Sequence, residues 1–485
     1  MQNLEQYFEK YRKNIIGNGQ TFHSPYGEKE IIYTDWTASG RLYRPIEEQL
    51  LNELGPYVAN THTETSFTGA VMTHAYHKSK DIIKKHVHAD EDDVLILSGT
   101  GMTSAINKFQ RLLGLRIPDL LKSNMNAMVH KPVVFITHME HHSNQTSWLE
   151  TLADVVVIPY DETGLVDYTA LENLFQQYSD RTLKIASVTA CSNVTGIVND
   201  YHRIARIAHE NNGLCFVDFA CSAPYVNIDM HPNDAESLDA IFFSPHKFLG
   251  GPGTQGVLIF DKKLYRSLVP DNPGGGTVTF TNPWGKHDYV TDIETREDGG
   301  TPGFLQSIKT ALSIRLKEEM SVQAILDREH ELNTIIFEAL EQIPNLHILA
   351  AQHQKRMGIF SFYIDDAHFN LIVKLLNDRF GIQTRGGCSC AGTYGHFLLN
   401  IDNKTSEDIE NDVLKGKFLT RPGWVRMSIH PTMTDAQVRY VCDCIKQVAE
   451  NHVEWGKDYN YVIDLNDYVH QSQPENVQEL VDSIL

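Results

Sequence analysis

The chain has 485 residues, with Lys+Arg 42 against Asp+Glu 62 and a formal net charge of −20 at pH 7. So acidic a balance speaks against partners that present phosphate backbones or anionic membrane surfaces. A hydrophobic share of 41% with 32 glycines matches a globular protein rather than a disordered one, and the length asks for two packed domains because single cores stop growing near ~250–300 residues.

No apolar run reaches the ~18 residues that span a bilayer. The opening stretch MQNLEQYFEKYRK is polar and amphipathic, without a signal-peptide core, so a cytoplasmic location is expected. From residue 94 onward, short β-branched runs alternate with amphipathic stretches: VLIL at 94–97, VVFIT at 133–137, VVVIPY at 155–160, IASVT at 185–189, LCFVDF at 214–219, AIFFS at 240–244 and GVLIF at 256–260. That rhythm predicts an α/β domain with a mainly parallel sheet. Helices are predicted at 100–113, 168–177 and 200–211, the last with Asp200 as N-cap and Gly213 just past its end. The Gly/Pro-rich stretch Pro270 to Gly303 reads as a long functional loop ahead of a helix at 305–316. A smaller α+β unit follows, with strands at 357–364 and 424–430 and helices at 366–380 and 435–451. The motif TRGGCSCAG is predicted to be a loop, residues 391–423 a polar insertion of little periodicity, and the acidic tail beyond Trp455 loosely docked.

The seven cysteines are odd in number and thinly spread, which argues against a disulfide framework. The pairs Cys388/Cys390 and Cys442/Cys444 lack the spacing of a structural zinc site, and no metal is expected.

In open α/β sheets, ligands bind beyond the carboxyl ends of the strands, which singles out three places. Lys247 lies in SPHKFLGGPG at 244–253, after a buried strand and before a Gly-rich turn. An isolated lysine is normally a solvated surface residue, but desolvation here would lower its pKa and leave a nucleophilic amine that can hold an aldehyde as a Schiff base. Asp218 ends the strand LCFVDF; alone it reads as a cap, and with Lys247 it reads as a carboxylate for the ring nitrogen of pyridoxal phosphate. Ser98 to Ser104 joins a strand to a helix, and its backbone N–H groups with the Thr103 hydroxyl suit a phosphate, although such a turn is also a common cap.

The ordered set GTGMTSAIN (99–107), MEHHSN (139–144), SNVTG (192–196), VDFA (217–220), SPHKFLGGPG (244–253), GGTPG (299–303), RGGCSCAG (385–392) and WVRMS (424–428) resembles the class V aminotransferase-like, fold type I pyridoxal-phosphate enzymes. It is most similar to their cysteine desulfurase and selenocysteine lyase branch, over roughly residues 30–455. The resemblance implies a large cofactor domain at 31–310, a small C-terminal domain at 311–455 carrying the catalytic-loop cysteine, an N-terminal segment at 1–30 packed with the small domain, and an acidic tail at 456–485.

It further implies that Lys247 is the Schiff-base lysine, Asp218 the pyridinium partner, and His141 a ring-stacking acid or base. Met102, Thr103, Ser244 and His246 would bind the phosphate, and Thr301 would reach the phosphate of a neighbouring subunit in a homodimer with shared sites. Asn193 would meet both ring hydroxyl and substrate carboxylate. Arg426 would hold that carboxylate by its guanidinium fork, with Arg385 opening the catalytic loop and Cys390 as nucleophile. Cys388 and Ser389 stand where the branch commonly has histidine beside the cysteine, and Cys221 where it has glutamine. The implied reaction cleaves the C–S or C–Se bond of cysteine or selenocysteine, giving alanine and an enzyme persulfide for a protein sulfur acceptor. A class V aminotransferase or C–S β-lyase is the alternative on the same scaffold, and a sulfur-relay or binding protein without turnover the alternative outside enzymes.

Overall fold

A computed structural model describes residues 3–121, 131–472 and 477–485. The chain divides into two compact units, one of Met1–Ala38, Asn193–Ile197 and Gln323–Leu485, the other of Ser39–Ser192 and Val198–Val322.

The second unit is built on seven strands: β1 (Asp93–Ser98), β2 (Val133–Ile136), β3 (Asp154–Val157), β4 (Lys184–Thr189), β5 (Leu214–Asp218), β6 (Ala240–Phe243) and β7 (Gly256–Asp261). Their spatial order is β1-β7-β6-β5-β4-β2-β3, with β7 antiparallel to both neighbours and every other pairing parallel. All seven coincide with the predicted runs. Side chains along each strand alternate between two apolar layers: Leu95, Phe135, Val217, Ile241 and Ile259 share one, while Ile96, Val134, Phe216, Phe242 and Leu258 share the other. This is the period of two expected of a pleated strand, with both faces apolar because helices cover both. Helices α1 (Phe67–His86), α2 (Met102–Leu112), α3 (His142–Leu149), α4 (Tyr168–Gln177), α5 (Tyr201–Glu210) and α6 (Phe304–Met320) supply the cover. Helices α1, α4, α5 and α6 contribute Ile83, Phe175, Ile204 and Ile314 to the first layer; α2 and α3 contribute Phe109 and Trp148 to the second. Asp200 caps α5 by accepting from the Arg203 N–H. The stretch from Pro270 to Gly303 holds a small hairpin, Val278–Thr281 with His287–Tyr289, and is anchored where buried Glu297 pairs with buried Lys108 at 2.8 Å.

The first unit carries an antiparallel sheet of β8 (Leu346–Ile348), β9 (Ile359–Ile364), β10 (Arg385–Gly387) and β11 (Trp424–Ser428), in the order β8-β9-β11-β10. Helices α7 (Phe369–Phe380) and α10 (Asp435–Trp455) pack on it through Ile372, Leu376, Val441 and Ile445. Strand Ile32–Tyr33 pairs in parallel with Ile382–Gln383.

Three expectations are corrected here. The motif TRGGCSCAG begins in β10, because Arg385–Gly387 ladders onto β11. Residues 391–423 contain two helices, α8 (Gly392–Leu398) and α9 (Asn403–Leu414). Asp402 caps α9 through the Thr405 N–H, and Ile409 and Val413 of α9 line a shared cavity with Leu399 and Ile401, an apolar face too short to stand out in a polar stretch. Just beyond Trp455 the chain forms a docked hairpin, Tyr459–Val462 with Asp467–His470: Tyr459 donates to Asp378 (2.8 Å), and Asn370 donates to the Asn466 carbonyl (2.6 Å), while the final helix, Val477–Ile484, is exposed throughout.

The turn after β6 leaves no room for a side chain, since a Cβ at Gly251 would sit 1.9 Å from the Pro245 carbonyl oxygen. Gly251→Ala is therefore expected to destabilise the protein by ~2 kcal/mol or more, read as a lowered urea midpoint. An unchanged midpoint would mean that the turn relaxes freely.

Candidate active site

In the second unit, the polar groups gather where β-strands give way to loops. Asp218 is the last residue of β5, and Lys247 closes the single 3-10 turn Pro245–Lys247 after the neighbouring β6. Burial raises the Asp218 carboxyl from 3.8 to about 6, against the opposing pull of the Ala220 N–H, which it accepts at 2.8 Å, and of the Lys247 charge. The structure thus brings Asp218 and Lys247 within electrostatic reach. Burial, reinforced by the Lys247 charge, lowers His246 to about 4, so its imidazole is neutral at neutral pH.

The helix α2 begins at Met102 with no side-chain cap. The Met102 N–H donates to Ser244 Oγ at 2.8 Å, and a Cβ on Gly101 would stand 3.1 Å from Ser244 Oγ and 3.5 Å from His246 Nε2. Gly101 therefore lies tight against Ser244 and His246, next to the Met102 N–H. Thr103 Oγ1 bonds Ser143 Oγ at 2.6 Å, and Ser143 Oγ in turn reaches His141 Nδ1 at 3.1 Å. Nδ1 also accepts the Ser143 N–H as the cap of α3, which leaves Nε2 to carry the proton of the neutral ring. Thr301 is exposed, just ahead of α6.

Glu140 is a residue that the sequence did not flag. It is buried, accepts from Thr137 Oγ1 (2.6 Å), Thr189 N (2.8 Å) and Asn144 Nδ2 (2.7 Å), and titrates near 7 because burial outweighs those bonds, with the Asp218 charge adding to the rise. Its only signal was its place in MEHHSN, where a glutamate before a helix reads as an ordinary first-turn acid.

The first unit holds the remaining candidates. Arg385 and Arg426 stand directly opposite each other across β10 and β11, a like-charge pairing that would repel. Asp35, also unforeseen, lies between them: its Oδ1 accepts from Arg426 Nη2 (2.8 Å) and its Oδ2 from Arg385 Nε (2.9 Å) and Nη2 (2.8 Å). Two guanidinium charges meet one carboxylate, leaving one positive charge in surplus. Arg426 is buried and its Nε has no hydrogen-bond partner, while its Nη1 donates to the Asn193 carbonyl at 3.3 Å.

Asn193 donates from Nδ2 to the Ser389 carbonyl at 2.7 Å and leaves its buried Oδ1 without a partner. Ser389 and Cys390 are the two central residues of a turn closed by Ala391 N–H to Cys388 O at 3.0 Å, and both have positive φ, +49° and +57°. That conformation normally selects glycine or asparagine; here it places Cys390 at an exposed apex within electrostatic reach of Arg385. Cys221 is buried, its Sγ directed at the Ser192 carbonyl at 3.9 Å.

Within the second unit these residues suit pyridoxal phosphate: an uncapped helix N-terminus for the phosphate, a buried carboxylate for a ring nitrogen and a lysine within its electrostatic reach. Residues 32–441 match the Aminotransferase class-V family. The chain belongs to that family, whose members are pyridoxal-phosphate-dependent enzymes. It is 28% identical over 366 residues to a probable cysteine desulfurase of Halalkalibacterium halodurans, spanning 74% of this chain and 84% of the relative. A probable cysteine desulfurase of Staphylococcus epidermidis is 29% identical over 388 residues, 78% of this chain and 87% of the relative. The fold matches cysteine desulfurase structures from Thermococcus onnurineus (TM-score 0.73, 22% identity, 91% and 98% of the two chains) and Escherichia coli CsdA (TM-score 0.70, 20% identity, 93% and 99%). It is the fold type I architecture.

Two predictions follow from the electrostatics. The folded Asp218 carboxyl holds its proton more tightly than an unfolded one, so its stabilising contribution is present at low pH and lost as pH rises from about 4 through about 6. Cofactor-free Asp218→Asn is then expected to exceed wild type in stability by up to about 3 kcal/mol at pH 7, with the gap closing below about pH 4; urea melts at stepped pH measure it, and equal melts at pH 7 refute it. Asp35→Asn, by contrast, strands a buried guanidinium opposite another, and a loss of about 3 kcal/mol in unfolding free energy is expected. A variant as stable as wild type would mean that solvent already screens the pair.

Proposed function

We propose that this chain is a pyridoxal-phosphate-dependent cysteine desulfurase, able to act on the selenium analogue, that releases alanine and retains the sulfur on Cys390. The observation that carries the reading is the Cys388–Ala391 turn: two non-glycine residues held at positive φ, with a free thiol exposed at its apex and Arg385 in reach. Strain of this kind costs about 1–3 kcal/mol per residue and persists where the surroundings enforce it. Asn193 and Trp424 do so here, gripping the Ser389 carbonyl and hydroxyl. The relatives named probable cysteine desulfurases support the same reaction.

In this reading Lys247 would carry the cofactor, Asp218 would pair with its ring nitrogen, and His141 would stack on its ring. Met102, Thr103, Ser244 and His246 hold the phosphate, and Thr301 is offered to the site of a second copy in a homodimer. Bound pyridoxal phosphate supplies an electron sink for the bonding pair released at the substrate's α-carbon. The surplus positive charge of the Asp35–Arg385–Arg426 group binds the substrate carboxylate, with the unpaired Arg426 Nε as a ready donor. Asn193 Oδ1 accepts a hydrogen bond from the cofactor or substrate. The Lys247 amine would serve as the base that moves the substrate's α-proton, and His141 Nε2 would be a second proton carrier. Cys390 Sγ, as the thiolate, then attacks the substrate sulfur: an S–S bond forms as the Cβ–S bond breaks, and the electron pair stays with the three-carbon skeleton, which leaves as alanine after protonation. A protein or small-thiol acceptor removes the sulfur and resets the cysteine.

Lys247→Ala is expected to lose the visible absorbance of lysine-linked cofactor and to cut alanine release at least ~100-fold. Cys390→Ala should keep that absorbance and still bind cysteine, yet release alanine only at background. Wild-type alanine yield without Cys390, or a keto acid formed from an amino acid lacking sulfur, would replace desulfuration with the aminotransferase or β-lyase reading.

A further inference from the structure

The function above uses one of the two thiols in RGGCSCAG. Cys388 is the other, and its surroundings differ from those of Cys390. Cys390 is exposed, whereas Cys388 is half-buried and lines a cavity of about 240 Å³ walled by α8, α9 and the segment Arg421–Trp424. The wall is mainly apolar, with Leu399, Ile401, Ile409 and Val413. Arg421 also lines it and donates from Nη2 to Cys388 Sγ at 3.3 Å. Each thiol of the turn therefore has its own guanidinium, Arg385 for Cys390 and Arg421 for Cys388.

The turn keeps the two thiols close. Their Cα atoms are separated by one residue and so by at most about 7 Å, near the upper end of the range in which two cysteines can share sulfur–sulfur chemistry after rotation about χ1. The bond between Ala391 N–H and Cys388 O folds the segment more tightly than an extended chain. A guanidinium is a suitable counter-ion for a persulfide anion, and an apolar pocket limits its contact with water and oxidants.

We propose that Cys388 is a second sulfur-carrying thiol, which takes the outer sulfur of a Cys390 persulfide and stores it in the cavity against Arg421. This rests on the desulfurase reading, since that reaction supplies the persulfide. The step balances without any co-reactant: the Cys388 thiolate attacks the outer sulfur of Cys390–S–SH, a new S–S bond forms at Cys388, the old one breaks, and Cys390 leaves as thiolate with the proton kept on the transferred sulfur. There is no net oxidation. Cys390 is thereby freed for another turnover while sulfur is held away from its exposed apex.

The test uses the full-length, pyridoxal-phosphate-loaded protein given L-cysteine, quenched at intervals by alkylation and digested, with fragment-ion mass spectrometry locating the extra sulfur on Cys388 or Cys390. Wild type is expected to show the extra sulfur first on Cys390 and later mainly on Cys388, with alanine released. Cys390→Ala should carry none on its remaining Cys388, and Cys388→Ser should carry it on Cys390. Arg421→Gln, which keeps both thiols, should shift the Cys388-to-Cys390 ratio about tenfold toward Cys390, the loss of one charge-assisted hydrogen bond. Sulfur confined to Cys390 in wild type while alanine accumulates would overturn the relay and leave desulfuration standing. So would sulfur on Cys388 in the Cys390→Ala variant, which would make Cys388 the direct acceptor, or a Cys388–Cys390 disulfide formed with release of sulfide. Neither alanine nor extra sulfur in wild type would overturn the desulfurase reading, and the relay with it.

Discussion

A sheet covered by helices on both faces leaves its polar side chains few places to go. Along β1 to β7 both sets of alternating residues are committed to apolar layers, so ionisable chemistry is displaced to the strand ends. Asp218 stands at that boundary. One residue earlier Val217 is buried in the core, and Asp218 itself pays for its position by holding its proton up to about 6. The same covering fixes Glu140, whose buried carboxylate collects four hydrogen bonds from Thr137, Asn144 and Thr189. The result is a buried carboxylate within electrostatic reach of Lys247: the charge of Asp218 is destabilised by burial and would be stabilised by a cationic ring nitrogen.

The first unit meets the opposite problem with the same economy of groups. Antiparallel register sets Arg385 and Arg426 against each other, and β11 buries the second of them. One carboxylate, Asp35, joins both guanidinium groups and leaves the cluster with one charge unmatched. A fully neutralised cluster would be a structural ion-pair network; the unmatched charge is the feature on which the proposed binding of a substrate carboxylate rests.

The cysteine turn follows from that sheet. β10 ends at Gly387, and the chain then reverses through two left-handed residues before entering α8. Asn193 serves both neighbours, since its carbonyl accepts from Arg426 and its amide holds Ser389. The position of the Cys390 thiol, proposed as the nucleophile, is thus coupled within this unit to the arginine proposed to bind the substrate's carboxylate. No helix among the described residues is long and apolar enough to cross a membrane.

Much of this was legible in the residues themselves. The seven strand segments were readable because a doubly covered strand is a short, continuous β-branched run, and Lys247 and Asp218 because they end such runs beside glycine or turn signals. Asp200 was readable as a cap because capping is local, a matter of one side chain and an N–H three residues on. What the sequence could not yield was pairing over long separations. Asp35 is 350 residues from Arg385 and 391 from Arg426, and nothing local marks it as their shared counter-ion. The helix α9 escaped because its apolar face, Ile409 and Val413, has meaning only against Leu399 and Ile401. Cys388 and Cys390 look alike on the page, two thiols around one serine. Only the folded turn, which exposes one at its apex and sets the other against Arg421 in a cavity, makes them different, because exposure and counter-ions are properties of packing rather than of spacing.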